Sequence, residues 1–130
     1  MIHTHSPAGM AVSALKCGLL PLTQNAMFFG EIAYHDYEGP AIDLDEQKRL
    51  VRDLGGASAM ILRNHGIVTA APSMEESVFL ALKLNQACHA QVLAEMAGGP
   101  VLVGQPEEAK AKGAYANRPD IHVNAFNYVL

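Results

Sequence analysis

Two short apolar runs, residues 58–64 and 67–71, are separated only by His65-Gly66. Neither run has the length of an ordinary helix, and their closeness fits a tight hairpin that places His65 at a strand tip. Gly66 permits close backbone approach there, and Asn64 tolerates the left-handed conformation such turns use. Around this pair the chain alternates helical and strand-like patterns, which predicts an α/β fold. Ser6-Pro7 opens a helix that runs through Leu15-Lys16-Cys17 and closes at Gly18. Thr23 caps a short turn through Phe28, residues 31–34 read as a short strand, and residues 36–39 read as a loop. Asp43-Leu44-Asp45-Glu46 has the spacing of a capping box, and its helix runs to Leu54 before Gly55-Gly56. Ser73-Met74-Glu75-Glu76 is a second such box, opening the longest helix, residues 74–97, which Gly98-Gly99-Pro100 terminates.

Val78, Leu82, Asn85, His89, Val92 and Met96 share one face of that helix, while Leu80, Leu84, Ala87 and Cys88 widen the apolar arc. An arc so broad predicts burial on more than one side, against the sheet or another subunit. A hydrophobic content of 50% supplies a core for one domain of the 130-residue chain. Net charge is −4 with scattered Lys and Arg, so no basic stripe invites nucleic acid. The chain lacks a basic n-region followed by an apolar run, and no stretch is long enough to span a bilayer, so it reads as cytoplasmic. Cys17 and Cys88 sit within apolar helical patterns and read as buried free thiols rather than a disulfide. Residues 105–118 are polar and Ala-rich, and 121–130 fits a strand or a frayed tail.

His3 and His5, two apart on an extended segment, project from one face and can share an ion if a third ligand arrives. His65 is the natural third. Three imidazoles with an open fourth position describe a catalytic rather than a structural zinc site. The spacing alone fits a metal site and plain surface histidines about equally, and imidazole suits iron, copper and nickel as well as zinc. The remaining histidines read as structural: His35 as a hydrogen-bonding group in a loop, His89 as a helix-face residue. His122 lies in the tail. Tyr34, Tyr37 and Tyr115 read as packed rings with bonded hydroxyls.

His3-Thr4-His5-Ser6-Pro7, Gly18-Leu19-Leu20-Pro21, Tyr34-His35-Asp36-Tyr37-Glu38-Gly39 and Leu62-Arg63-Asn64-His65-Gly66 together resemble the class II aldolase and adducin head-domain family, from Ile2 to about Gly99. The second and third motifs are closest to the adducin-related branch and its bacterial relatives. The resemblance implies an α/β/α sandwich around a mostly antiparallel sheet, of which this chain supplies the C-terminal part. Residues 1–99 would form that domain, lacking its N-terminal part, and 100–130 a separate tail. In the family's enzymes a His-x-His and the His of an Asn-His-Gly-like motif hold zinc, which carries over onto His3, His5 and His65. Adducin heads have lost that set.

The implied chemistry is metal-dependent retro-aldol cleavage, or a related epimerisation, of a small sugar phosphate or hydroxy-carbonyl substrate. The implied assembly is a homo-oligomer, commonly a tetramer, without nucleic acid or membrane. In the family the acid-base glutamate and the phosphate loops precede the His-x-His strand, so neither Glu31 nor Glu38 inherits that role. The catalytic acid-base residue is therefore unassigned, and the chain reads as a truncated family member. The alternative is a non-catalytic adducin-like association module.

Overall fold

The computed structural model describes residues 1–39, 44–98, 102–105 and 107. In chain order these residues form β1 (Ile2–Thr4), α1 (Pro7–Ser13), α2 (Gln24–Met27), β2 (Ala33–His35), α3 (Leu44–Leu54), β3 (Ala59–Leu62), β4 (Gly66–Thr69) and α4 (Met74–Met96). The expected hairpin is β3–β4, with Met60 opposite Val68 and Leu62 opposite Gly66. Asn64 takes the left-handed conformation at φ 56°, and the His65 amide donates to the Leu62 carbonyl at 3.0 Å. β1 lines up antiparallel on the far side of β4, and β2 runs parallel to β3, giving the order β1-β4-β3-β2.

Alternation along β3 explains the layers. Ala59 and Ile61 face a core with Val12, Ile67, Leu80, Leu84 and Cys88, so α1 and α4 cover that side. Met60 and Leu62 face the other side with Val68, where Leu50 and Leu54 of α3 pack. The result is the expected α/β/α sandwich. Ile61 is fully buried, and a side chain of its size contributes about 1.5–3 kcal/mol on leaving water.

Helix starts follow the cap chemistry. Ser6 Oγ accepts from the Gly9 amide at 3.2 Å, Thr23 Oγ1 from Ala26 at 3.2 Å, and Ser73 Oγ from Glu76 at 3.1 Å. The first helix is shorter than expected: it ends at Ser13, and residues 14–18 form turns, with the Gly18 amide donating to Leu15 O at 3.0 Å. Gly18 sits at φ +65° directly over the Tyr34 ring, where a Cβ would collide with the phenol. Tyr34 Oη accepts from the Leu19 amide at 3.1 Å, which agrees with a packed ring and a bonded hydroxyl. Cys17 consequently lies outside the helix and is exposed, contrary to expectation, whereas Cys88 is buried as expected.

The longest helix corrects another reading. Its buried residues are Ser77, Phe79, Leu80, Leu84, Ala87, Cys88 and Gln91, so the principal face is the one that carries Leu80, Leu84, Ala87 and Cys88, expected only to widen the arc, together with Ser77, Phe79 and Gln91. Leu82 and Met96 are exposed, and so is His89. Gln91 was not anticipated. Wholly buried, it accepts from the Leu20 amide at 2.7 Å and donates to Gly18 O at 2.9 Å, fixing the connector after α1. Among the described residues no helix is long and apolar enough to cross a membrane.

The strand expected at 31–34 lies at Ala33–His35. Asp43, Gly99 and Pro100, which carry parts of the expected capping box and helix stop, lie outside the described residues, as do Tyr115, His122 and the segment 121–130. Of the proposed tail 100–130 only 102–105 and 107 are described. There the Gly104 amide donates to Pro21 O at 2.9 Å, so this stretch returns to the connector beside α2.

Candidate metal centre

β1 is the edge strand beside β4, and its pairing of Thr4 with Ile67 brings the His-x-His segment against the end of the β3–β4 hairpin. The rings of His3, His5 and His65 meet there. Their centroids are 4.6 Å apart for His3 and His5, 4.9 Å for His3 and His65, and 4.7 Å for His5 and His65. One ring nitrogen from each lies within 4.8 Å of the others. His3 and His5 are exposed and His65 is half-buried, so the group opens to solvent.

Local bonding settles which nitrogens turn inward. His3 Nδ1 donates to the Ile67 carbonyl at 3.0 Å, which leaves the Nε2 lone pair of the neutral ring free to act as a ligand. His3 Nε2 stands 2.8 Å from His5 Nε2. Two acceptor nitrogens this close need either a proton or a cation between them, so the donor set fits a shared ion. Burial first, then the nearby charges of His3 and His5, hold the His65 imidazole below its ordinary pKa and in the neutral form that binds metal.

Gly66 makes the convergence possible. A Cβ there would stand 2.5 Å from the Thr4 carbonyl oxygen and 3.2 Å from His5 Cδ2, inside the space β1 and the rings occupy. No carboxylate belongs to the three-imidazole group among the described residues. Tyr37 was expected to be packed. Instead it is 58% exposed, with its ring 6.0 Å from that of His65. Only its distance in sequence from the histidines hid it.

His35 has the structural bonding expected of it, through Nδ1 to Asp53 Oδ2 at 2.8 Å. It also stands among Glu38 and Glu46, a grouping not foreseen, because Glu46 arrives from α3. Glu38 is gripped by the Arg49 guanidinium, which holds its carboxyl below the usual range. Glu31 lies apart, lining a cavity with Leu19, Pro21 and Tyr34. Burial pushes the Cys88 thiol up to about 12, which keeps it protonated and unreactive.

Comparison with known proteins identifies the family and the fold. Residues 1–92 match the family described as Class II Aldolase and Adducin N-terminal domain. The chain is 43% identical to alpha-adducin of Rattus norvegicus over 123 residues, covering 92% of this chain and 17% of that protein. A crystal structure of an aldolase II superfamily protein from Pseudomonas syringae superposes with a TM-score of 0.84 at 42% identity, over 98% of this chain and 54% of that one. The L-fuculose 1-phosphate aldolase from Glaciozyma antarctica PI12 shares the fold, with a TM-score of 0.74 at 24% identity, over 98% of this chain and 51% of that one. The chain thus spans about half the length of these solved relatives and a smaller share of the adducin. It belongs to the class II aldolase and adducin N-terminal domain family.

Proposed function

We propose that His3, His5 and His65 form the metal centre of a class II aldolase-type lyase, with Zn2+ as the resident ion. Its substrate is a small hydroxy-carbonyl compound or sugar phosphate, and its reaction retro-aldol cleavage or epimerisation. The observation that carries this reading is the meeting of the three imidazoles within 4.8 Å. Bound there, a divalent cation supplies Lewis-acid stabilisation of negative charge on the substrate's oxygens. The chain's own residues arrange the rest. The Ile67 carbonyl orients His3, Gly66 keeps the space beside the rings clear, and exposed Tyr37 offers a phenol at the mouth.

Exposed Leu82, Leu93 and Met96 on α4 support a homo-oligomer, since apolar side chains on one helix are commonly covered by a partner. Two free cysteines fit a reducing, cytoplasmic setting. The likeness to alpha-adducin favours a second reading, an association module without catalysis.

Metal analysis and aldol-cleavage assays on the purified chain separate the two. The lyase reading expects one equivalent of zinc, lost in His65→Ala, and cleavage of sugar phosphates once the acid-base residue that neither Glu31 nor Glu38 provides is supplied. Oligomers with normal circular dichroism and no metal at the three histidines would establish the association module instead.

A further inference from the structure

A buried histidine nitrogen without a hydrogen bond among the described residues stands near two carboxylates beside α3. His35 is 5% exposed, and its Nδ1 donates to Asp53 Oδ2 at 2.8 Å. A carboxylate only accepts, so Nδ1 carries a proton toward Asp53, and Nε2 is the ring nitrogen left to take a ligand. That Nε2 makes no hydrogen bond among the described residues. It points at Glu38 Oε1, 3.9 Å away, and at Glu46 Oε1, 4.0 Å away. Glu46 is 6% exposed, whereas the Glu38 side chain is 33% exposed and gives the group a way out to solvent.

A ring nitrogen without a hydrogen bond, set beside two carboxylates in a buried setting, is costly unless something positive, a proton or a cation, lies between them. A proton on Nε2 would put the ring in long ion-pair range of both carboxylates, at 3.9 and 4.0 Å, but in hydrogen-bond range of neither, since a bonded acceptor closes to about 2.7–3.2 Å. An ion with bonds of about 2.0–2.2 Å fills the gap. The space suits an ion in size as well. A cavity of about 20 Å³ lies among His35, Glu38, Glu46, Leu50, Leu62 and His65, room for one ion or water and for no organic ligand. Asp53 behind His35 completes the carboxylate–histidine pairing that typically orients a ligating ring.

We propose that His35 Nε2, Glu38 and Glu46 form a second divalent-cation site, oriented by Asp53 and suited to a first-row transition ion. One imidazole and two carboxylates are a mixed donor set of the kind Zn2+ and Mn2+ accept. Arg49, bound to Glu38, offsets one of the two carboxylate charges and leaves a surplus for a dication. The site stands apart from the lyase reading, although His65 lines the same cavity and the two sites are neighbours.

Co2+ titration of the whole chain, read by visible absorption and by metal content after gel filtration, tests it. Wild type is expected to hold about two ions per chain. His3→Ala/His5→Ala/His65→Ala should retain one, and Glu38→Gln/Glu46→Gln should also retain one. A triple-histidine variant that is folded by circular dichroism yet binds no Co2+ would overturn the proposal and leave a water beside His35. So would a wild type that binds no more than Glu38→Gln/Glu46→Gln, a comparison that decides the matter even if the triple variant fails to fold.

Discussion

The two histidine clusters are built on opposite principles. His3, His5 and His65 stand at a sheet edge and a hairpin tip, with only His65 half-buried and, among the described residues, no carboxylate in their group. His35 lies under α3, 5% exposed, tied to Asp53 and ringed by Glu38 and Glu46. In the first cluster the rings contribute little to holding the chain together and are free to serve a ligand. In the second, the histidine is part of the packing, so any ligand it takes is coupled to folding. Position in the layers therefore decides how much stability each histidine carries.

The largest effect separates the clusters directly. His35→Ala leaves Asp53 and Glu46 without the imidazole between them and opens a void under α3, and should cost about 2–4 kcal/mol of unfolding free energy. His65→Ala, half-buried at the hairpin tip and without a carboxylate partner among the described residues, should change metal-free stability by about 1 kcal/mol or less. Urea denaturation of both variants in chelator checks the contrast, and equal losses would erase it. A smaller effect comes from Gly66→Ala. Its Cβ meets the Thr4 carbonyl oxygen at 2.5 Å, so β1 must shift, with an overpacking cost of about 1–3 kcal/mol. Because His3 and His5 ride on that segment, Co2+ at the three-histidine site should weaken while binding at His35 persists. A variant that binds at both sites like wild type would show that β1 is not what positions the pair.

Features set by neighbouring residues were legible in the sequence. Ser6-Pro7, Thr23 and Ser73 mark helix starts because a cap needs only a hydroxyl and the amide three residues on. The β3–β4 hairpin was legible for the same reason, and with it the place of His65 at a strand tip. The pairing of β1 with β4 that brings His3 and His5 to it spans more than sixty residues and has no local signal. The end of α1 was not, because the Tyr34 ring from β2 fixes Gly18 in its turn, and no local signal reports a ring from so far along the chain. The buried face of α4 was misjudged because apolar residues cover most of its circumference, and only the sheet decides that Leu84 and Gln91 turn inward while Leu82 and Met96 turn out. His35 read correctly as a bonded histidine. Its companions did not, since Glu46 and Asp53 come from α3 and meet it only once that helix packs on β2.

The smallest expected effect is a pH dependence confined to the buried cluster. The hydrogen bond from His35, reinforced by Arg52, holds the Asp53 carboxyl below its ordinary range. A carboxylate whose folded pKa is depressed contributes stability above its unfolded value, about 3.9, and loses it as pH falls through the lower folded value. In chelated protein, wild type should therefore melt higher than Asp53→Asn near neutrality, and the two should converge only on acidification below about pH 4. Among the described residues the three-histidine site has no carboxylate in its group, so the same acid limb should appear unchanged in His3→Ala. A wild-type advantage that stays constant through the acid range would mean that Asp53 is not held by His35.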